Sequence, residues 1–274
     1  MKRTERFIMP LLAGVVILSL TSTACLAEKV VIAGSTTVLP IAQKTAEVFM
    51  DDNPSVDISV RGGGSSVGIA ALIDGTCDIA DASRAIKETE IQKAAANGKD
   101  PVAHIVAMDG IAVVVNKANP ISKLSRKQVR DIFTGKVSDW SQLGGKPGKI
   151  VVVSRDTSSG TFEAFGELVM NKEKVLPGAL MQASNQAVAQ SVALTPSAIG
   201  YVGLGFMSGD IKALEIEGVS PSRETVISGE YAVTRPLFMY SNGKPEGAIK
   251  DYLEFVKSRE GQRLVEEQGY VGLR

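Results

Sequence analysis

The chain has 274 residues, with 30 Lys and Arg against 30 Asp and Glu, so it lacks the basic surplus from which nucleic-acid binding draws its affinity. Two cysteines, one histidine, one tryptophan and 5% aromatic residues exclude a disulfide scaffold and leave little for histidine-based catalysis or for ligands held on aromatic faces. A small polar ligand suits this composition better.

Lys2, Arg3 and Arg6 precede an apolar run from Met9 to Leu20 that is broken only by Pro10, Gly14 and Ser19. This reads as an export signal, too short to anchor the chain across a bilayer. The small residues from Thr21 to Ala27 place cleavage after Ala27, giving a signal over residues 1–27. The alternative is lipidation of Cys25, although Ser22 stands where lipoprotein signals usually carry leucine. Either route sends the protein to the periplasm or another extracytoplasmic space. Removing the leader leaves 27 basic and 29 acidic residues and a single cysteine, Cys77, so no internal disulfide can form and Cys77 reads as a small buried hydrophobe.

After the leader, Lys29 to Ala33 predicts a strand and Pro40 to Met50 a helix, with Ile41, Ala42, Ala46 and Val48 or Phe49 facing inward. Val56 to Arg61 is a second strand; it feeds Gly62-Gly63-Gly64, after which Ser65 or Ser66 is placed to cap a helix through Leu72. A third strand around Cys77 to Ala80 ends at Ser83-Arg84, and Glu88 to Asn97 reads as an exposed helix. Such alternation is the pattern of a parallel α/β sheet. Two apolar runs, Val102 to Met108 and Ile111 to Val115, flank Asp109-Gly110, either as a tight hairpin or as the point where the chain leaves one lobe for another. Ser125 to Thr134 is a capped helix, and a loop from Trp140 to Lys149 leads to a strand over Ile150 to Val153. Phe162 to Met170 continues as helix. Strands at Ile199 to Val202 and Leu237 to Tyr240, then amphipathic helices over Ala248 to Lys257 and Glu260 to Gln268, complete the chain. No internal repeat or low-complexity segment interrupts it.

Three stretches combine glycine with clustered hydroxyls where an apolar run meets a helix: Gly34-Ser35-Thr36-Thr37, Gly62-Gly63-Gly64-Ser65-Ser66 and Arg155-Asp156-Thr157-Ser158-Ser159-Gly160-Thr161. Amides at a helix start are unpaired and carry the positive end of the helix dipole, glycine lets the backbone approach closely, and Ser or Thr adds neutral donors. One such loop alone reads as an ordinary capped turn. Three at the carboxyl ends of strands, one bearing Arg155, point to an oxyanion. The first two precede Asp109 and the third follows it, so two lobes could share one closing cleft.

Competing chemistry is poorly supported. Gly64-Ser65-Ser66-Val67-Gly68 fits the hydrolase pattern G-x-S-x-G, but the only histidine, His104, lies in an apolar strand and reads as structural. Gly144 to Lys149 lacks the Walker spacing. No spacing suggests a metal, and no cofactor is implied. Arg84 reads as a salt bridge to Asp78 or Asp81, or as a second ligand cation. Arg155 could contact the ligand or brace the lobes through a carboxylate, and Asp156 could orient Arg155 or cap the following helix.

With these segments together, the mature chain resembles the phosphate-binding proteins of phosphate ABC transporters, which are type II periplasmic binding proteins. The likeness rests on Gly34 to Pro40, Gly64 to Gly68, Asp78 to Arg84, Asp131 to Lys136 with Asp139-Trp140, Arg155 to Thr161, Ala198 to Val202 and Arg235-Pro236-Leu237. It implies an α/β fold of two lobes, each a central sheet flanked by helices, with the ligand cleft between them. One lobe is expected over residues 28–108 and 235–274, the other over 109–234. It also implies a monomeric receptor, not an enzyme, that takes inorganic phosphate and passes it to a membrane ABC permease. Sulfate, tungstate or molybdate is the alternative cargo, and a secreted phosphoester hydrolase the remote one. Carried over by position, Thr36 and Thr37 meet the ligand through amide and hydroxyl with Ser35 beside them, Ser65 does so with Ser66 adjacent, Ser83 follows, and Arg155, Ser159, Gly160 and Thr161 complete the set. Many members have an aspartate after the serine matched by Ser83, which accepts the phosphate proton; here Arg84 occupies that place, as in another branch of the family. Asp156 or Asp81 is then the expected substitute.

Overall fold

The structure is a computed structural model that describes residues 27–273; the expected signal before Ala27 and the Cys25 lipidation site lie outside the described residues. The first part alternates strand and helix: β1 (Glu28–Gly34), α1 (Leu39–Asp52), β2 (Val56–Gly62), α2 (Ser65–Ile73), β3 (Ile79–Ala82) and α3 (Glu88–Ala96). β1 lies between β2 and β3 and is parallel to both. Its alternation sends Val30 and Ile32 to the face covered by α1 and Ala33 to the face covered by α2. Gly68 lets α2 lie on β1, because a Cβ there would come within 2.4 Å of the Ala33 carbonyl oxygen.

β4 (Pro101–Asn116) follows, then β5 (Lys123–Leu124), α4 (Arg126–Phe133), β6 (Val151–Arg155), α5 (Gly160–Leu168), β7 (Leu180–Gln182), α6 (Asn185–Leu194), β8 (Ala198–Gly203), β9 (Ile211–Ala213), β10 (Glu215–Ile216) and α7 (Arg223–Ser228). The chain returns through β11 (Thr234–Asn242) and closes with α8 (Gly247–Lys257) and α9 (Arg259–Glu267). The main sheet has the order β2-β1-β3-β11-β4-β8-β6-β7, with β9 also on β4. Neighbouring β10 and β5 form a separate pair.

Asp109-Gly110 makes no hairpin. β4 runs through it as one strand, paired antiparallel with β11 up to Gly110 and with β8 from Ile111 onward. The Asp109 carboxylate, which would favour a turn in water, is fully buried and accepts from Arg235 and from the Leu204 amide. β4 therefore serves two halves of the sheet and three apolar clusters, the smallest of which takes Ala112 and Val114 against α6. Of the other two, one gathers Val30, Ile32, Ile41, Phe49, Leu237 and Tyr252; the second gathers Val113, Phe133, Trp140, Phe165 and Tyr201.

Helix starts differ from expectation where site residues lie. α2 is entered from Gly64 in a φ 102° conformation with no side-chain cap, so Ser65 and Ser66 are its first two residues and not its cap. α5 begins at Gly160, two residues earlier than its apolar pattern suggests, because the Ser159 hydroxyl accepts from the Thr161 and Phe162 amides. α6 was not anticipated; Ser184 caps it, and Val188, Ala189 and Val192 pack on β6 and β8.

Candidate functional site

The three glycine-hydroxyl turns meet at one place. Thr37 Oγ1 and Thr161 Oγ1 are 2.9 Å apart. The Ser66 amide donates to the Ser158 carbonyl at 3.0 Å, and Ser158 Oγ donates to the Gly63 carbonyl at 3.1 Å. Gly160 lies so close to the second turn that a Cβ on it would come within 2.3 Å of Ser65 Oγ and 2.8 Å of Ser83 Oγ. Ser35, Thr37, Ser65, Ser83, Arg155, Ser159 and Thr161 are each 2% exposed or less, and Thr36 is also buried.

Within this cluster the polar atoms divide between structure and an unmet donor capacity. Ser35 Oγ accepts from the Thr37 and Val38 amides, and Ser159 Oγ accepts from Thr161 and Phe162. The Thr37 and Thr161 amides, expected to face a ligand, are thus taken up by the turn before α1 and by the cap of α5. Each of these two hydroxyls has its lone pairs occupied and can only donate with its remaining proton. At α5 the first amide, that of Gly160, keeps no intrahelical acceptor. Ser65 Oγ accepts from the Ser83 amide at 3.0 Å and lies 3.3 Å from Ser83 Oγ.

Arg155 sits at the end of β6, donating through Nε to the Gln182 carbonyl and through Nη2 to the Ala183 carbonyl, at 3.1 and 3.0 Å. No carboxylate pairs with it among the described residues, so the carboxylate brace considered from sequence is absent. Burial lowers its pKa to about 10, with Arg235 adding to the fall and Asp156 and Tyr201 opposing it. Asp156 does not cap α5; its Oδ1 accepts from the Ser158 amide at 2.8 Å and, at 2.5 Å, shares the single Ser158 hydroxyl proton with the Gly63 carbonyl. Asp81 lies on the face of β3 shared with Ile79, opposite Ala80 and Ala82. Both its carboxylate oxygens are buried without a partner, and desolvation alone pushes its pKa well up.

Two functional candidates escaped the sequence reading. Arg235, at the start of β11, donates from Nη2 to Asp109 at 2.9 Å, to Thr161 Oγ1 at 3.0 Å and to Thr37 Oγ1 at 3.4 Å, and from Nη1 to the Ser83 carbonyl at 3.1 Å. Burial raises the Asp109 pKa, while Arg235 and the Leu204 and Gly110 amides pull it back toward the ionised form. Asn185, the first residue of α6, donates to Thr37 Oγ1 at 2.9 Å and Thr36 Oγ1 at 3.2 Å. The Ser184-Asn185 pair was a readable helix start; nothing local marked where Arg235 would point.

Arg84 pairs with neither Asp78 nor Asp81. Asp78 accepts from the Val31 amide instead. Arg84 binds Glu90 through two hydrogen bonds of 2.7 and 2.8 Å, and its Nε lies 3.1 Å from Glu163 on α5 without hydrogen-bond alignment. Ser66 Oγ joins the same group, accepting from Arg84 at 3.0 Å and donating to Glu163 at 3.3 Å, and Lys87 adds a 2.5 Å ion pair to Glu163. Ser66 is therefore engaged at the mouth of the cluster. It has no histidine neighbour, since His104 bonds Ser241 at 2.9 Å. Among the described residues no group of His, Cys, Asp or Glu is placed to hold a metal, and no helix is long and apolar enough to cross a membrane.

Residues 20–260 match the model of the PBP superfamily domain. The chain is 35% identical over 242 residues to the phosphate-binding protein PstS of Bacillus subtilis, covering 88% of this chain and 79% of the relative. A phosphate ABC transporter substrate-binding protein of Clostridium perfringens, solved with bound phosphate, superposes with a TM-score of 0.85 at 32% identity, over 90% of this chain and 100% of that one. A phosphate transport receptor from Vibrio cholerae gives a TM-score of 0.74 at 32% identity, over 89% and 100%.

Proposed function

The chain belongs to the PBP superfamily and, within it, to the PstS family of phosphate-binding proteins, and from that premise we propose that it captures inorganic phosphate for an ABC transporter, with no covalent step. The observation that carries this reading is the charge of the buried cluster. Arg155 and Arg235 are both buried where three helix starts converge, and among the described residues Asp109 is the single carboxylate hydrogen-bonded to either guanidinium. A buried cation without a counter-charge is expensive, and a bound anion supplies that counter-charge. Thr36, Ser65, Ser83, Ser159, the Gly160 amide, Thr161 and Arg155 form the proposed first contacts, with Ser35 and Thr37 behind them and Ser66 in a clasp formed by Arg84, Lys87 and Glu163. Charge-assisted hydrogen bonds contribute about 1.5–3 kcal/mol each, whereas micromolar affinity requires only about 8 kcal/mol. A handful of aligned donors is sufficient.

The proposed lobes are residues 28–108 with 235–274, and 109–234. Capture works by closing them, since the Thr37–Thr161, Gly63–Ser158 and Arg84–Glu163 contacts all join one lobe to the other, and a ligand that touches both favours the closed state. A membrane permease then receives the phosphate from a monomeric, extracytoplasmic receptor whose leader is removed after Ala27 or lipidated at Cys25. Thermal unfolding tests the reading: phosphate at about 100 times its Kd stabilises by about 2.7 kcal/mol, seen as a rise in midpoint. A rise with sulfate or tungstate and none with phosphate would change the cargo.

A further inference from the structure

We infer that Asn185 and Arg235 act as positioning residues that fix the direction of a hydroxyl chain, from Thr37 to Thr161, so that Thr161 can only donate to the bound anion. The inference deepens the proposed phosphate site and rests on that reading. It follows from counting protons. The Asn185 amide is oriented by its Oδ1, which accepts from the Gly203 amide at 3.3 Å, so Nδ2 faces Thr36 and Thr37. Neither an amide NH2 nor a guanidinium can accept a hydrogen bond. Thr37 Oγ1 receives Asn185 Nδ2 and a shared N–H of Arg235 Nη2, which occupies both of its lone pairs. Its own proton has one remaining partner, Thr161 Oγ1. Thr161 Oγ1 in turn receives Thr37 and Arg235 Nη2, so its lone pairs are occupied and its proton is directed away from both.

Two consequences distinguish this from a generic pair of ligand hydroxyls. Thr37, although adjacent to the site, makes no hydroxyl contact with the anion; its proton is spent on Thr161. Thr161 presents a hydrogen and never a lone pair, so the ligand oxygen facing it must act as an acceptor and the P–OH proton of phosphate must be donated elsewhere. Asp109 enters only by holding Arg235 in register, through Nε and Nη2 at 3.2 and 2.9 Å. The chain spans both proposed lobes, so it forms its fixed direction only on closure.

The test is a double-mutant cycle read by calorimetric titration with inorganic phosphate. Asn185→Asp replaces a donor by an acceptor of the same shape. Thr37 then turns its proton to residue 185, Thr161 turns its own to Thr37, and a lone pair faces the anion. Thr161→Val is expected to weaken binding about tenfold or more, the worth of one charge-assisted donor, while Thr37→Val costs clearly less. Asn185→Asp is expected to cost more than Thr161→Val in the wild type and at least about fivefold less once Thr161 is Val; any general charge repulsion would persist in both backgrounds. Thr161→Ser should restore the coupling. If Asn185→Asp does not fold, the cycle of Thr37→Val with Thr161→Val replaces it, with strong non-additivity expected. Equal penalties in both backgrounds, additive Thr37 and Thr161 losses, or a Thr37→Val loss matching that of Thr161→Val would overturn the inference. Silence of the wild type toward phosphate would overturn the functional reading and this inference with it.

Discussion

Glu163→Gln is expected to loosen the closed state without unfolding either half. Glu163 projects from α5 to Arg84, whose side chain is 7% exposed, and to Lys87, which is 50% exposed, while Ser66 donates to it at 3.3 Å. Breaking a buried ion pair commonly costs about 3–5 kcal/mol because a charge is orphaned. Here Arg84 keeps its double hydrogen bond to Glu90, so that larger figure does not apply. The exposed Lys87 pair contributes about 0–1 kcal/mol, and the remainder is one partly buried contact to Arg84 plus a hydroxyl bond to a charged group. The expected loss is about 1–2 kcal/mol, which raises the phosphate Kd about five- to thirtyfold. Most of it should fall on the release rate, measured by stopped flow, since the clasp forms only after the ligand is enclosed. Salt should weaken the wild type more than the variant, because the screened interaction is absent from the latter. A Kd within twofold of wild type with an unchanged salt dependence would refute the clasp.

Arg155→Met keeps most of the side-chain volume but no charge; the phosphate-free melting midpoint should change little, while the Kd rises by a factor corresponding to about 2 kcal/mol or more, and retained affinity would reduce Arg155 to a tie between β6 and the segment before α6. Gly160→Ala should abolish tight binding, measured by calorimetry, because its Cβ would meet Ser65 Oγ at 2.3 Å in the closed state, yet it should leave the phosphate-free protein about as stable, since the first residue of α5 tolerates alanine as well as glycine. Asp81 binds a proton more tightly when folded than when unfolded, so its contribution is fully present below the ordinary aspartate range and is lost as pH rises through the elevated folded value. Asp81→Val should accordingly flatten that decline and raise stability near neutral pH by about 1–3 kcal/mol, the usual cost of an unpartnered buried polar group; denaturant melts across pH read both effects, and an unchanged profile would mean that Asp81 has a partner.

Much of the fold was legible because it is written in local signals. The strand before each glycine turn, the capped helix from Ser125 and the amphipathic helices at the carboxyl end are set by periodicity and capping, which operate within a few residues. α6 was lost because its apolar face, Val188, Ala189 and Val192, is narrow and small. Asp109-Gly110 was ambiguous because turn propensity competes with burial, and burial won through Arg235 and the Leu204 amide, both far away in the chain. The same reason explains the site. The three hydroxyl turns were visible as residue types at strand ends, but which hydroxyls cap a helix, which join the clasp and which remain for a ligand depends on partners brought in by tertiary structure. Ser66 was grouped with Ser65 by adjacency; in the helix their side chains point about 100° apart, and Ser66 goes to Arg84 and Glu163.

The most direct measurement is a calorimetric titration of the protein, stripped of bound anion by partial unfolding and refolding, with phosphate and then with sulfate, tungstate and molybdate. One phosphate per chain, bound at micromolar Kd or tighter and lost in Gly160→Ala, is the expected result. Absence of phosphate binding in a correctly refolded chain, or phosphate binding that survives Gly160→Ala undiminished, would contradict the account.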